Sequence, residues 1–154
     1  MTENRGVTAS RVVAARPEDV FAVISDPRRH PEMDGRGNTS AAQQAARVMT
    51  VGESFLMLNS NGKVRQNRVV EFDQGHVVAW MPCPVDGEPF GFRWRWQVEQ
   101  HPEGTLVIHS YDWTELTRQD LVEEARTVGV ADLERSLARL AALVEQPGAG
   151  PDLT

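Results

Sequence analysis

Phe90-Gly91-Phe92-Arg93-Trp94-Arg95-Trp96-Gln97-Val98-Glu99 alternates bulky apolar residues with small or polar ones at every step. A period of two marks a half-buried strand. Successive side chains of a strand point to opposite faces, so Phe90, Phe92, Trp94, Trp96 and Val98 share one face. Gly91, Arg93, Arg95, Gln97 and Glu99 share the other. The aromatic face has to point inward. Its two indoles and two phenyl rings either fill a core or line a cavity. A buried indole also needs a partner for its N–H, which a polar ligand or water would supply.

Downstream, His101 to Gly104 turns the chain and Thr105 to Trp113 returns as a second strand. One of its faces carries Thr105, Val107, His109, Tyr111 and Trp113; the other carries Leu106, Ile108, Ser110 and Asp112. Upstream, Glu53 to Leu58, Lys63 to Phe72 and His76 to Met81 read as strands. Asn61-Gly62 signals a two-residue hairpin between the first pair, and Asp73-Gln74-Gly75 a short turn between the next. Pro82, Pro84, Gly87 and Pro89 mark a loop.

Toward the N-terminus, Val7 to Ala14 reads as a first strand. Pro17 suits the first position of a helix, where an N–H would be unpaired anyway. Glu18 and Asp19 follow where the helix dipole favours acids. Asp26-Pro27 repeats the signal, so two short helices are expected. The small, polar segment from Gly35 to Thr50 predicts a weak strand and a loop, with a helical turn over Ala41 to Val48 as the alternative. Toward the C-terminus, Thr117 and Asp120 have capping-box spacing and Leu116 and Leu121 staple spacing, which predicts a helix start. Gly129 interrupts it. Val130, Leu133, Leu137, Leu140, Ala141 and Val144 then fall on one helical face. Glu145-Gln146-Pro147-Gly148 stops that helix. The expected organisation is one domain over 1–146 and a frayed tail over 147–154.

This order resembles the START-like superfamily, also called SRPBCC, and within it bacterial polyketide cyclase/dehydrase-type proteins. The residues that carry the resemblance are Ala15-Arg16-Pro17-Glu18-Asp19-Val20-Phe21, Asp26-Pro27, Met33-Asp34-Gly35, Val69-Val70-Glu71-Phe72, Ala79-Trp80, Trp94 and Tyr111-Asp112-Trp113. The resemblance implies an α+β helix-grip fold: a curved antiparallel sheet wrapped around a long C-terminal helix, with a hydrophobic cavity between them. It favours the Thr105 face inward, which would set His109 and Tyr111 beside that cavity. It implies no particular reaction, because a fold does not fix function.

The candidate ligand-binding residues are therefore Trp80, Phe92, Trp94, Trp96, His109 and Tyr111. Phe92, Trp94 and Trp96 share the aromatic face, and Trp80 ends a neighbouring strand. His109 could exchange protons near neutral pH, and an enzyme would move protons with it, Tyr111 or an arginine, although a histidine that merely satisfies a neighbour fits as well. Asn67 is a candidate polar anchor, and Met33, Met57 and Met81 would let a pocket adapt. No catalytic residue is assigned.

Composition narrows the classes. The 154 residues carry 16 Lys and Arg against 22 Asp and Glu, a formal net charge of -6. Such a balance repels phosphate backbones unless cations concentrate on one face. Arg93 and Arg95 alternate with Trp94 and Trp96, so they cannot grip one nucleic-acid strand together. No nucleic-acid partner is expected. Cys83 is the single cysteine, which precludes an internal disulfide and suggests a reducing compartment. Met1-Thr2-Glu3-Asn4-Arg5 precedes no apolar run, and no stretch reaches the roughly 20 apolar residues of a membrane helix. The expectation is cytoplasmic, with no membrane insertion. His30, His76, His101, His109 and Cys83 lack metal-ligand spacing, so no metal is expected. Nothing resembles a nucleophile motif or a phosphate-cradling loop, and no cofactor is expected. Oligomeric state leaves no signal. Three functions stay open: a binder of a small hydrophobic or aromatic molecule, a polyketide cyclase/dehydratase-like enzyme using the same cavity, and a protein-interaction module.

Overall fold

Alternation along the aromatic stretch and its successor produces two paired strands, β6 (Arg93–His101) and β7 (Gly104–Asp112). Their register runs from Arg93↔Asp112 to His101↔Gly104. The structure, a computed structural model, describes residues 4–37, 39–43 and 50–145. The other strands are β1 (Gly6–Val13), β2 (Thr39–Gln43), β3 (Ser54–Asn59), β4 (Val64–Asp73) and β5 (Val77–Cys83). All pair antiparallel in one curled sheet, in the order β1-β7-β6-β5-β4-β3-β2. Helices α1 (Pro17–Ile24) and α2 (His30–Met33) follow β1, with a 3-10 turn at Pro27–Arg29 between them. Helices α3 (Val122–Arg126) and α4 (Val130–Val144) follow β7. This is the expected α+β helix-grip fold.

The helix α4 is amphipathic, and Leu133, Leu137, Leu140 and Ala141 are all at most 1% exposed. Burying each leucine contributes roughly 1.5–3 kcal/mol. Asp132 accepts from the Gly129 N–H at 2.9 Å, which satisfies one orphan donor at the helix start. At the far end the Glu145 carboxylate accepts from the Ala14 N–H at 2.7 Å, tying α4 to the exit of β1. The link from α2 to β2 is held still more closely. Gly35 N–H donates to Ser136 Oγ at 2.9 Å, and the Arg135 guanidinium donates to Gly35 O at 3.1 Å. A Cβ on Gly35 would lie 2.6 Å from Asp132 O and 2.7 Å from Ser136 N. Only glycine permits that approach.

Five local expectations need correction. Pro82, expected in a loop, lies within β5 opposite Asn67. Phe90 is not a strand residue: Gly91 adopts φ +115° against the Leu116 backbone and breaks the alternation, so the ladder starts at Arg93. The hairpin after β3 is a three-residue connection, Ser60-Asn61-Gly62, closed by Asn59 N–H to Lys63 O, with Gly62 left-handed at φ +85°. The capping box at Thr117 does not form. A 3-10 turn spans Gln119–Leu121, Arg118 provides no side-chain cap, and α3 begins at Val122. Val130 is 48% exposed rather than buried, because it sits at the start of α4 beyond the sheet. The segment from Gly35 does hold a strand, β2. The rest of the alternative helical turn, residues 44–49, and the tail at 147–154 lie outside the described residues.

Candidate functional site

The inner face of the sheet carries its aromatic residues in rows, because antiparallel register sets them side by side. Val69, Trp80, Trp94 and Tyr111 form one row across β4 to β7, and Val78, Trp96 and His109 form the next. Between these rows, α2 and α4 lies a cavity of about 160 Å³. All six candidate residues line it: Trp80, Phe92, Trp94, Trp96, His109 and Tyr111. The inward phase of β7 is as expected, with Thr105, Val107, His109, Tyr111 and Trp113 buried. Asn67, Met33 and Met57 also reach the wall, whereas Met81 is buried elsewhere.

The rings pack against one another. Trp94 and Tyr111 are tilted by 44° with centroids 4.2 Å apart. His109 lies parallel on Trp96 at 3.6 Å, and His30 parallel on Trp80 at 4.5 Å. Both imidazoles are anchored by a backbone carbonyl. His109 Nδ1 is 3.0 Å from Arg95 O, and His30 Nε2 is 2.9 Å from Ile24 O. A carbonyl can only accept, so the bonded nitrogen of each ring carries the proton. Burial holds both histidines neutral and pushes each pKa down to about 4, although the Asp34 carboxylate pulls both upward. Burial raises the Tyr111 hydroxyl well above its ordinary range, and Glu124 adds to this while Arg36 opposes it.

The polar groups divide by depth. His30, Asn67, His109 and Ser136 are buried and uncharged. Arg36 and Arg65 are partly exposed and Glu124 is exposed, so the cavity opens where α3, the start of β2 and the β3–β4 hairpin meet. Asp34 stands between the two zones. Its carboxylate accepts from the N–H of Arg36 and of Thr39, and its backbone O takes Arg139. Among the buried polar atoms, Asn67 Oδ1 has no hydrogen-bond partner in the described residues.

The sequence reading assigned no role in the pocket to His30, Asp34 or Ser136. For Ser136 a signal existed: it lies three residues after Leu133 on the buried face of α4, where an apolar residue is the norm. Met33-Asp34-Gly35 stood among the residues of the resemblance, with nothing in their local pattern to reveal a contact to α4. His30 was weighed only as a metal ligand. Among the described residues no group of three His, Cys, Asp or Glu side chains could hold a metal ion.

A sequence model described as "Polyketide cyclase / dehydrase and lipid transport" matches residues 5–145, nearly the whole described chain. The chain belongs to this family. It is 32% identical over 111 residues to the Mycobacterium tuberculosis protein Rv0088, a match that takes in 70% of this chain and 47% of that protein. The chain therefore spans about half the length of this curated relative. Among solved structures it resembles a Mesorhizobium loti protein at TM-score 0.69 and 14% identity, over 93% of this chain and 98% of that one. It also resembles DynU16, from the dynemicin biosynthetic locus, at TM-score 0.66 and 17% identity, over 94% of this chain and 48% of that one. Identities this low speak for the fold alone. Among the described residues of this family member, no helix is long and apolar enough to cross a membrane.

Proposed function

We propose that this member of the polyketide cyclase/dehydrase and lipid transport family binds a small hydrophobic or aromatic molecule in the cavity between its sheet and α4. One observation carries the reading: a cavity walled by Trp80, Phe92, Trp94 and Trp96, whose deepest polar groups are all uncharged. Small-molecule sites are mostly apolar, with a few polar groups that fix orientation. Neither histidine gains a proton near neutral pH, and Tyr111 holds its own tightly. General acid–base work needs a group that titrates near the working pH. The cavity wall therefore suits binding better than proton transfer.

A cyclase/dehydratase-like enzyme is the second reading. The family's description includes such enzymes, and Asp34 reaches the same cavity as His30 and His109. Native mass spectrometry of protein purified from its own host separates the two. A retained, unchanged aromatic or hydrophobic molecule supports the binder; conversion of an added polyketide-like chain, lost in Asp34→Asn, supports the enzyme. A protein carrying nothing and binding no aromatic probe would overturn both.

Nucleic acid has no place in this reading. Arg95 and Arg93 engage Glu71 on the outer face, at 2.9 Å and 3.5 Å, away from the tryptophans. A cytoplasmic setting goes with it, on the strength of Cys83, a buried free thiol.

A further inference from the structure

The same cavity wall carries information about which ligand it takes, and the following rests on the binding role proposed above. His109 spends its only proton on Arg95 O through Nδ1. Its Nε2 is therefore a bare lone pair on a ring that lines the cavity. His30 is the mirror case: Nε2–H is spent on Ile24 O, and Nδ1 is bare. Asn67, 7% exposed, adds Oδ1, an acceptor with no described partner. Asn67 stands on β4 and His109 on β7, so the acceptors come from opposite sides of the aromatic rows. Asn67 Oδ1 is buried without a described partner, the bare nitrogens of His109 and His30 belong to rings that line the same cavity, and acceptors cannot satisfy each other. Buried polar groups are ordinarily paired, and leaving one unpaired is costly. The missing complement is a donor.

We infer that the cavity is selective for a compact aromatic molecule bearing hydroxyl donors, a phenol-type compound, held by His109 Nε2, Asn67 Oδ1 and His30 Nδ1. A volume of about 160 Å³ matches one ring, since an engineered cavity of about 150 Å³ holds benzene. A carboxylate of the same size is disfavoured, because it would lose its hydration beside the Asp34 carboxylate, while the cations Arg36 and Arg65 are part-exposed at the mouth. A neutral ether fits the shape but leaves the lone pairs unmet.

Para-ethylphenol, para-ethylanisole and para-ethylbenzoate, titrated calorimetrically into the whole chain at neutral pH, test this. Para-ethylphenol should bind at least tenfold more tightly than either of the others, because a site built for a hydroxyl rejects analogues lacking it. In His109→Phe, which keeps a ring on Trp96 and loses the acceptor, that preference should fall several-fold. Asn67→Leu should act in the same direction and serves if the first variant does not fold. Nitrogen-15 spectra of histidine-labelled protein read the tautomers directly. His109 Nε2 and His30 Nδ1 should appear unprotonated, and His109 Nε2 should shift when para-ethylphenol is added. Equal binding of phenol and anisole, tightest binding of the benzoate, or a protonated His109 Nε2 overturns the selectivity and leaves the cavity reading standing. Failure of all three compounds to bind overturns the cavity reading and this inference together.

Discussion

His109 lies face to face with Trp96, ring centroids 3.6 Å apart and planes 16° from parallel. The contact joins neighbouring strands at one register position, so the fold itself sets the two rings together. A neutral imidazole buried there keeps its bond to Arg95 O; a charged one would lack hydration. His30 on Trp80 repeats the arrangement from α2.

Acid should therefore weaken the fold through these two residues. Their folded pKa of about 4 lies below the ordinary 6.5, so between those values the unfolded chain binds more protons than the folded one. Stability then rises with pH across that window and is lost as pH falls from about 6.5 toward 4. Each histidine contributes on the order of 3 kcal/mol to the total change. Melting curves at pH 7 and pH 5 should differ clearly, and the difference should shrink in a His30→Gln, His109→Gln double variant. Identical melting temperatures at the two pH values would contradict the burial of neutral imidazoles.

Leu137→Ala should cost about 2–5 kcal/mol in denaturant unfolding. The side chain is 1% exposed in the middle of α4's buried face, so its loss leaves a void under the sheet. A cost near zero would mean that α4 does not grip the sheet through this residue.

Gly35→Ala should destabilise by roughly 1–3 kcal/mol, the usual cost of forcing an extra carbon into a packed contact. The added Cβ meets backbone atoms of α4, which cannot swing aside as a side-chain tip would. Gly129→Ala is the control, since a Cβ there meets nothing within 4 Å. Equal effects at the two positions would show that the α2–α4 contact is looser than its geometry.

How much of this could be read from the chain alone follows from how local each signal is. The period of two in Thr105 to Trp113 and the spacing of Leu133, Leu137 and Leu140 are local, and they locate the strand and the helix; which face of that strand turns inward came from the family resemblance. Trp94 and Trp96 were legible as one inward face from the alternation of their own strand, whereas His109 rested on the resemblance and Trp80 on its place at the end of a neighbouring strand. Phe90 was misread because Gly91's positive φ, forced by the approach of Leu116, leaves no trace in the alternation. The Thr117 capping spacing failed because the chain spends Gln119–Leu121 on a tighter turn before α3. His30 and Asp34 reach the cavity through contacts with partners far along the sequence, which a pattern of neighbours cannot encode. The tautomers of His30 and His109 depend on which carbonyl each ring meets, and only the folded backbone decides that.

Double- and single-stranded DNA and RNA should show no appreciable affinity at physiological salt. Arg93 and Arg95 are engaged with Glu71, and the tryptophans face the opposite side of the sheet. Binding driven by phosphate contacts falls steeply with added salt. Micromolar affinity with such a slope in a filter-binding or anisotropy titration would contradict the assignment of the two faces.

Trp94→Ala should weaken binding of an aromatic ligand more than Arg93→Ala. The two residues are adjacent on β6 and differ only in the face they occupy. Trp94 packs tilted against Tyr111 and lines the cavity, so its removal takes away a wall. Arg93 faces outward toward Glu71, and its loss disturbs only a half-exposed ion pair of small worth. Losing a large aromatic contact should cost about 1–3 kcal/mol of binding, a factor of roughly 5 to 150, whereas Arg93→Ala should stay within about twofold. The ligand should also alter tryptophan emission, because Trp80, Trp94 and Trp96 share the space it enters. Para-ethylphenol followed by calorimetry and by fluorescence gives both readouts on one sample. Equal weakening in the two variants, or a ligand that leaves the emission unchanged, would place the binding site outside the cavity.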